Sequence, residues 1–196
     1  MKAERHSCLS ALGLGNGGVS NMEGLEKTIS CLKEAGFTPK LNSFQDKLVI
    51  QKTVCLLQLM GMQLGYDFSL YVKGPYSPSL TKDLYEHREA VEKLKSACPL
   101  SRSEQEKVMK VYGLSNQLEP RMLEIMATYS FIRKKLGMNG RDSLIHLKKL
   151  KPFPEAQIAV GVSRAKQLFP PSEKEIEEMK AEFKALDEAA NADAKY

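Results

Sequence analysis

The sequence predicts a mainly α fold: a compact multi-helix domain with a small β element of one or two short strands and a C-terminal amphipathic helix. Three observations lead there. Capping residues followed by apolar residues at helical spacing recur along most of the chain. Only the stretch from Tyr66 to Lys73 alternates apolar and polar residues with the period of a strand. Gly or Pro stands at most of the joints between these patterns. A chain of 196 residues suffices for one domain with a substantial core and a short appendage. The expected division is a flexible leader over 1–21, a helical domain over 22–170 and an acidic amphipathic helix over 171–196.

The leader holds Gly13, Gly15, Gly17 and Gly18, a density of glycine that favours an unfolded chain. It lacks the preceding strand and the following acidic residue of a dinucleotide fingerprint. Asn21 is placed to cap a helix with Leu25, Ile29 and Leu32 on one face, ended by Gly36 and Pro39. Asn42 or Ser43 caps the next, from Phe44 to Met60, whose apolar residues on most faces predict a central, buried helix. Tyr66, Phe68, Leu70 and Val72 then form one face of a strand, for which 37–41 or 96–100 could supply the partner. Gly74-Pro75-Tyr76 reads as a rigid turn, and Ser77-Pro78 as a cap and first position of a helix through Leu80, Leu84, His87 and Val91. Ser103 and Glu106 form a capping-box pattern before Val108, Val111, Tyr112 and Leu118. Pro120 opens a helix with Leu123, Met126, Tyr129, Ile132 and Leu136 on one face. Two more follow, from Arg141 to Leu150 and from Pro154 to Leu168. Ser172 and Glu175 open the last, with Ile176, Met179, Phe183 and Leu186 as its stripe.

Composition narrows the functional classes. With 42% hydrophobic and 27% charged residues the chain reads as globular, and no apolar run approaches the roughly 18 residues of a membrane span. The start is too polar for a secretory core, so the expected location is cytoplasmic. Cys8, Cys31, Cys55 and Cys98 form no C-x-x-C pair, which predicts reduced thiols and no zinc site. His6, His87 and His146 stand in no metal-ligand or hydrolase pattern. The expectation is therefore a protein with no catalytic residues, metal or cofactor.

One stretch carries a family likeness. Leu48-Val49-Ile50-Gln51-Lys52, a leucine-rich helix, Gly61, the aromatic strand and Gly74-Pro75-Tyr76-Ser77-Pro78 with Leu80 resemble the uncharacterised YwgA-like proteins. More distantly, the pattern is similar to the Panacea (SocA-like) antitoxin domain, whose lysine helix and G-P turn are similarly placed. With Leu123-Glu124 and Leu150-Lys151-Pro152, the resemblance spans roughly residues 44 to 170. It implies a regulatory module that neutralises a protein partner by binding it. The chain departs from the Panacea pattern in Tyr76 and Ser77 after the proline and in the added terminal helix.

Three constellations are candidates for a site. Lys47, Gln51 and Gln58 share a helical face with Lys52 beside them; they either mark an exposed edge and bond the Gly74-Pro75 turn, or recognise a partner. The turn itself presents Tyr76 on a stiff loop before a helix N-terminus that favours anions, unless Tyr76 packs inward and Ser77 uses the free donors. Gln51, Lys52, Gly74, Pro75, Tyr76 and Ser77 are thus the expected partner-binding residues. Third, Arg133, Lys134, Lys135, Arg141, Lys148, Lys149 and Lys151 face only Asp142 within 133–151. That segment is the alternative, a nucleic-acid-binding regulator's footprint, although cations at helix C-termini also need no partner. The tail over 172–196 has eight acidic residues and four lysines, and could cover the basic segment or form a homodimer through its apolar stripe.

Overall fold

The computed structural model describes residues 21–96, 98–173, 175–177, 180, 181, 183 and 184. The described chain is mainly helical, with α1 Met22–Glu34, α2 Phe44–Leu59, α3 Pro78–Glu86, α4 Arg88–Glu92, α5 Arg102–Leu114, α6 Pro120–Lys135, α7 Gly140–Leu150 and α8 Glu155–Leu168. A two-stranded antiparallel sheet, β1 Ser69–Tyr71 and β2 Gly74–Tyr76, lies between α2 and α3 in the chain. Residues 173, 175–177, 180, 181, 183 and 184 are also helical.

The centre is a pair of helices. Every residue from Leu48 to Leu57 of α2 and from Leu123 to Ile132 of α6 is buried, and the two pack on each other. For α2 the apolar residues on most faces foretell this. For α6 they do not: the expected single face is wrong, because Glu124, Thr128 and Ser130 on its other faces are buried as well, while Leu136 is exposed. Helix α8 packs on α6 at Gly161, where an added Cβ would stand 2.4 Å from Cγ2 of Ile125. Only a residue without a side chain permits that approach.

Caps fix the starts. Asn21, Ser43 and Ser77 accept from Gly24, Asp46 and Leu80 amides as their sequence positions predict. The capping box of α5 is Ser101 with Glu104, one of two overlapping S-x-x-E patterns, and not Ser103 with Glu106. The earlier pair prevails with Lys27 of α1 bound to Glu104 at 3.0 Å, which ties the helix start to its neighbour. The helix expected through Val91 is broken at His87, whose φ of −115° and ψ of 33° are non-helical. Leu118 lies beyond α5, in a left-handed turn of Asn116, Gln117 and Leu118 with φ of 55° to 62°. Three such residues in succession are costly for L side chains. The Ser115 hydroxyl, which accepts from the Leu118 amide, and burial of the Leu118 side chain offset that cost. Ser172 and Glu175 cap each other reciprocally, and the Arg133 guanidinium pairs with the Glu175 carboxylate.

The strand partner is a correction to the sequence reading. β1 pairs with β2, the Gly74-Pro75-Tyr76 segment expected to be a turn, and not with 37–41 or 96–100. The register is Ser69 with Tyr76, Leu70 with Pro75 and Tyr71 with Gly74. Proline is tolerated because the position opposite Leu70 exchanges no bonds with β1 and needs no donor. The true turn is Val72-Lys73, followed by Gly74 at φ 83°, a left-handed conformation that favours glycine.

Candidate functional site

The hairpin is mounted on the helices by side chains that bind its main chain. The Gln51 amide accepts from Ser77 N–H at 2.9 Å and donates to Ser77 C=O at 2.9 Å, as a paired strand would. The same Nε2 donates to Thr81 Oγ1 at 2.9 Å. Lys52 Nζ donates to Pro75 C=O at 2.6 Å, and Lys151 Nζ, just past α7, donates to Val72 C=O at 2.6 Å. Two turns further along α2, Gln58 repeats the two-point grip on Tyr66, accepting at 3.0 Å and donating at 2.8 Å. The bonds to Ser77 and Pro75 are buried, so without these side chains their main-chain groups would be buried unpaired.

Two ammonium groups and one carboxylate lie under the hairpin. Glu124 of α6 binds Lys151 at 2.5 Å. All three of Lys52, Lys151 and Glu124 are at least 95% buried. Desolvation lowers the Lys52 pKa to about 8; Glu124 opposes that shift, and Lys151 adds to it. Desolvation also lowers that of Lys151, again against Glu124. The Thr128 hydroxyl, which donates to Glu124 C=O at 2.6 Å, would meet any Cβ on Gly74 at 2.2 Å. The closeness of the hairpin to α6 therefore depends on that glycine.

Above this buried layer is an open groove of about 490 Å³. One wall is the hairpin face bearing Tyr71 and Tyr76, whose rings meet edge to face at 5.5 Å. The other walls are the start of α2, with Phe44 and Leu48, and the last turn of α3, with Tyr85. Lys47 joins two of them, donating to Tyr85 Oη at 2.8 Å with its ammonium 5.4 Å from that ring's centre. Gln51 and Lys52 line the floor, and Val72 and Lys73 the hairpin tip. Phe44, Tyr71, Val72 and Tyr85 are 61, 50, 79 and 48% exposed. Soluble surfaces seldom collect so many large apolar side chains in one place.

The structure brings the first two constellations together and redistributes their roles. Gln51 and Lys52 are buried, a correction to the exposed-edge reading; Lys52 binds Pro75 as that reading expected, whereas Gln51 binds Ser77 and Thr81 beyond the Gly74-Pro75 segment. Gly74, Pro75 and Ser77 are buried too, and the Ser77 hydroxyl caps α3. Of the six expected partner-binding residues, only Tyr76 is partly exposed. Phe44, Tyr71, Val72, Lys73 and Tyr85 were missed. Their signal is faint: Tyr71 falls on the polar side of the alternating pattern, and Phe44 sits at a helix start where its direction is unreadable.

The basic segment is not one footprint. Lys151 is buried under the hairpin, a correction to its place among nucleic-acid-binding residues, because Glu124 and Val72 C=O satisfy it there. Arg133 pairs with Glu175, in keeping with a tail that covers part of the segment, and Lys148 pairs with Glu155 at 2.7 Å. Lys134, Lys135, Arg141 and Lys149 are exposed. Met179 and Leu186 of the expected terminal stripe, Cys8, His6 and the rest of the leader over 1–20 lie outside the described residues, while Ile176 and Phe183 are exposed. Cys31 and Cys55 are buried thiols, each pushed up to about 12 by desolvation. Among the described residues no group of three or more His, Cys, Asp or Glu side chains is placed to hold a metal, and no helix is long and apolar enough to cross a membrane.

Comparison of the chain with protein-family models, with curated proteins and with solved structures gives no match.

Proposed function

We propose that this chain is a non-enzymatic protein-interaction module that takes an apolar segment of a partner protein into the groove between α2, α3 and the hairpin. One observation carries the reading: Phe44, Tyr71, Val72 and Tyr85, each about half exposed or more, converge on a single concave surface. Aromatic side chains held on rigid elements are the usual anchors of protein interfaces. The rigid mounting of the hairpin supports the same reading, since a wall that is already ordered loses little entropy on binding. Binding without turnover is also what the antitoxin-like resemblance implies.

The test is site-specific photocrosslinking in the native host extract, with the crosslinker at Val72 and, as a control, at the exposed Met109 of α5. A discrete protein adduct is expected at Val72 and not at Met109, and Phe44→Ser should abolish it while circular dichroism and Tm stay unchanged. Identical adduct patterns from the two positions would overturn the proposal.

A further inference from the structure

We infer that the groove selects an acidic-aromatic segment: a peptide that inserts aromatic or branched aliphatic side chains and sets Asp or Glu carboxylates against Lys47 and Lys73. The inference rests on the proposed function and names the chemistry of the occupant.

Three arguments lead to it. First, every charged residue lining the groove is a lysine: Lys47 and Lys73 at the rim and Lys52 on the floor. A surface patterned in one sign attracts the opposite sign and rejects its own. Second, the charge beneath the floor does not cancel. The Glu124 carboxylate binds Lys151, whereas the Lys52 ammonium is held by the Pro75 C=O, so this buried layer of two ammonium groups and one carboxylate carries an excess positive charge. Salt screens a buried charge much less than an exposed one, so its field persists at the groove floor. Third, the walls are aromatic and the volume of about 490 Å³ is that of a site for a few large side chains. Tyr71 and Tyr76 offer ring edges and faces for stacking, while Lys47, held by Tyr85, is positioned at the rim before anything binds.

A segment with apolar anchors and carboxylates satisfies all three features at once. A basic segment would bring cations against Lys47, Lys73 and the buried excess. A nucleic acid would satisfy the charges but leave the exposed aliphatic Val72 and the half-enclosed apolar walls without a matching surface.

The experiment uses the full chain and three fluorescein-labelled peptides: Glu-Glu-Trp-Leu-Glu-Glu-Phe-Leu, the same peptide with Gln for every Glu, and the same with Lys for every Glu. Anisotropy titration is expected to rank them acidic, then neutral, then basic, with the acidic peptide about five- to tenfold tighter than the neutral one, as for two exposed charge pairs. That preference should shrink between about 0.1 M and about 1 M salt, as the screening length falls from about 10 to about 3 Å. Lys47→Gln with Lys73→Gln should remove most of the preference, bringing the affinities of the acidic and neutral peptides together. Equal binding of the three peptides would overturn the acidic selection and leave the groove reading intact. No binding of any peptide, with binding to vesicles of anionic lipid instead, would overturn both.

Discussion

Lys52 offers the sharpest test of the buried layer. Its ammonium is held at a pKa of about 8, against an ordinary 10.5, chiefly by burial. The unfolded chain therefore keeps this proton over a pH range in which the folded chain has already released it. Stability rises with pH wherever the unfolded state binds more protons. The contribution of Lys52 is thus fully present above the ordinary value and is lost as pH falls through about 8. The full difference corresponds to about 3 kcal/mol, and about 2 kcal/mol of it develops between about pH 7.5 and about pH 9.5. Cys31, Cys55 and Tyr66, all raised by burial, titrate in the opposite sense at the upper end. Comparing the wild-type chain with Lys52→Met at each pH cancels them. The lost Pro75 bond does not titrate and drops out of the slope. Urea unfolding followed by helical circular dichroism is the assay, because the chain has no tryptophan. The stability of wild type minus variant should grow by about 2 kcal/mol over that range. A flat difference would mean that Lys52 keeps an ordinary pKa, and the argument from its burial beside Lys151 would fail.

Other substitutions probe the mounting of the hairpin and the helix core. Gly74→Ala puts a side chain at a φ of 83° and 2.2 Å from Thr128 Oγ1, and should lower stability by about 3 kcal/mol in the same urea assay. Glu124→Gln leaves two buried ammonium groups with no carboxylate and is expected to lose about 3–5 kcal/mol, much of it recovered when Lys151→Met is added. Gln51→Ala orphans both main-chain groups of Ser77; a loss of about 1–3 kcal/mol should appear, together with faster hydrogen exchange at the Ser77 amide. Gly161→Ala, 2.4 Å from Ile125, should cost about 1–3 kcal/mol of stability and leave peptide binding in the groove unchanged.

Local chemistry was the legible part of this fold. Asn21, Ser43, Ser77 and the Ser172-Glu175 pair announce helix starts because a cap acts within three residues of itself. What was illegible depended on contacts distant in the chain. Pro75 reads as a turn residue, and only the position opposite Leu70, where no ladder bond is needed, makes it a strand residue. Thr128 and Ser130 read as a polar face of α6, yet they are buried beneath neighbours that no local pattern reveals. The candidate site divides in the same way. Gln51 and Lys52 stand out as polar residues in an apolar helix, and the bond of Lys52 to Pro75 follows from the unpaired carbonyl there. The groove does not stand out, because Phe44 and Tyr85 lie 41 positions apart in the sequence and meet only through α2 and α3.

The grip of Gln51 and Gln58 has an evolutionary consequence. Both amides hold peptide groups, which every residue type other than proline supplies alike, so the mount constrains the path of the hairpin without constraining what it displays. Val72 and Lys73, at the exposed tip between two anchored ends, can then change with little effect on the scaffold. A lineage carrying this domain could exchange the residues at the hairpin tip one codon at a time while the two glutamines stay fixed.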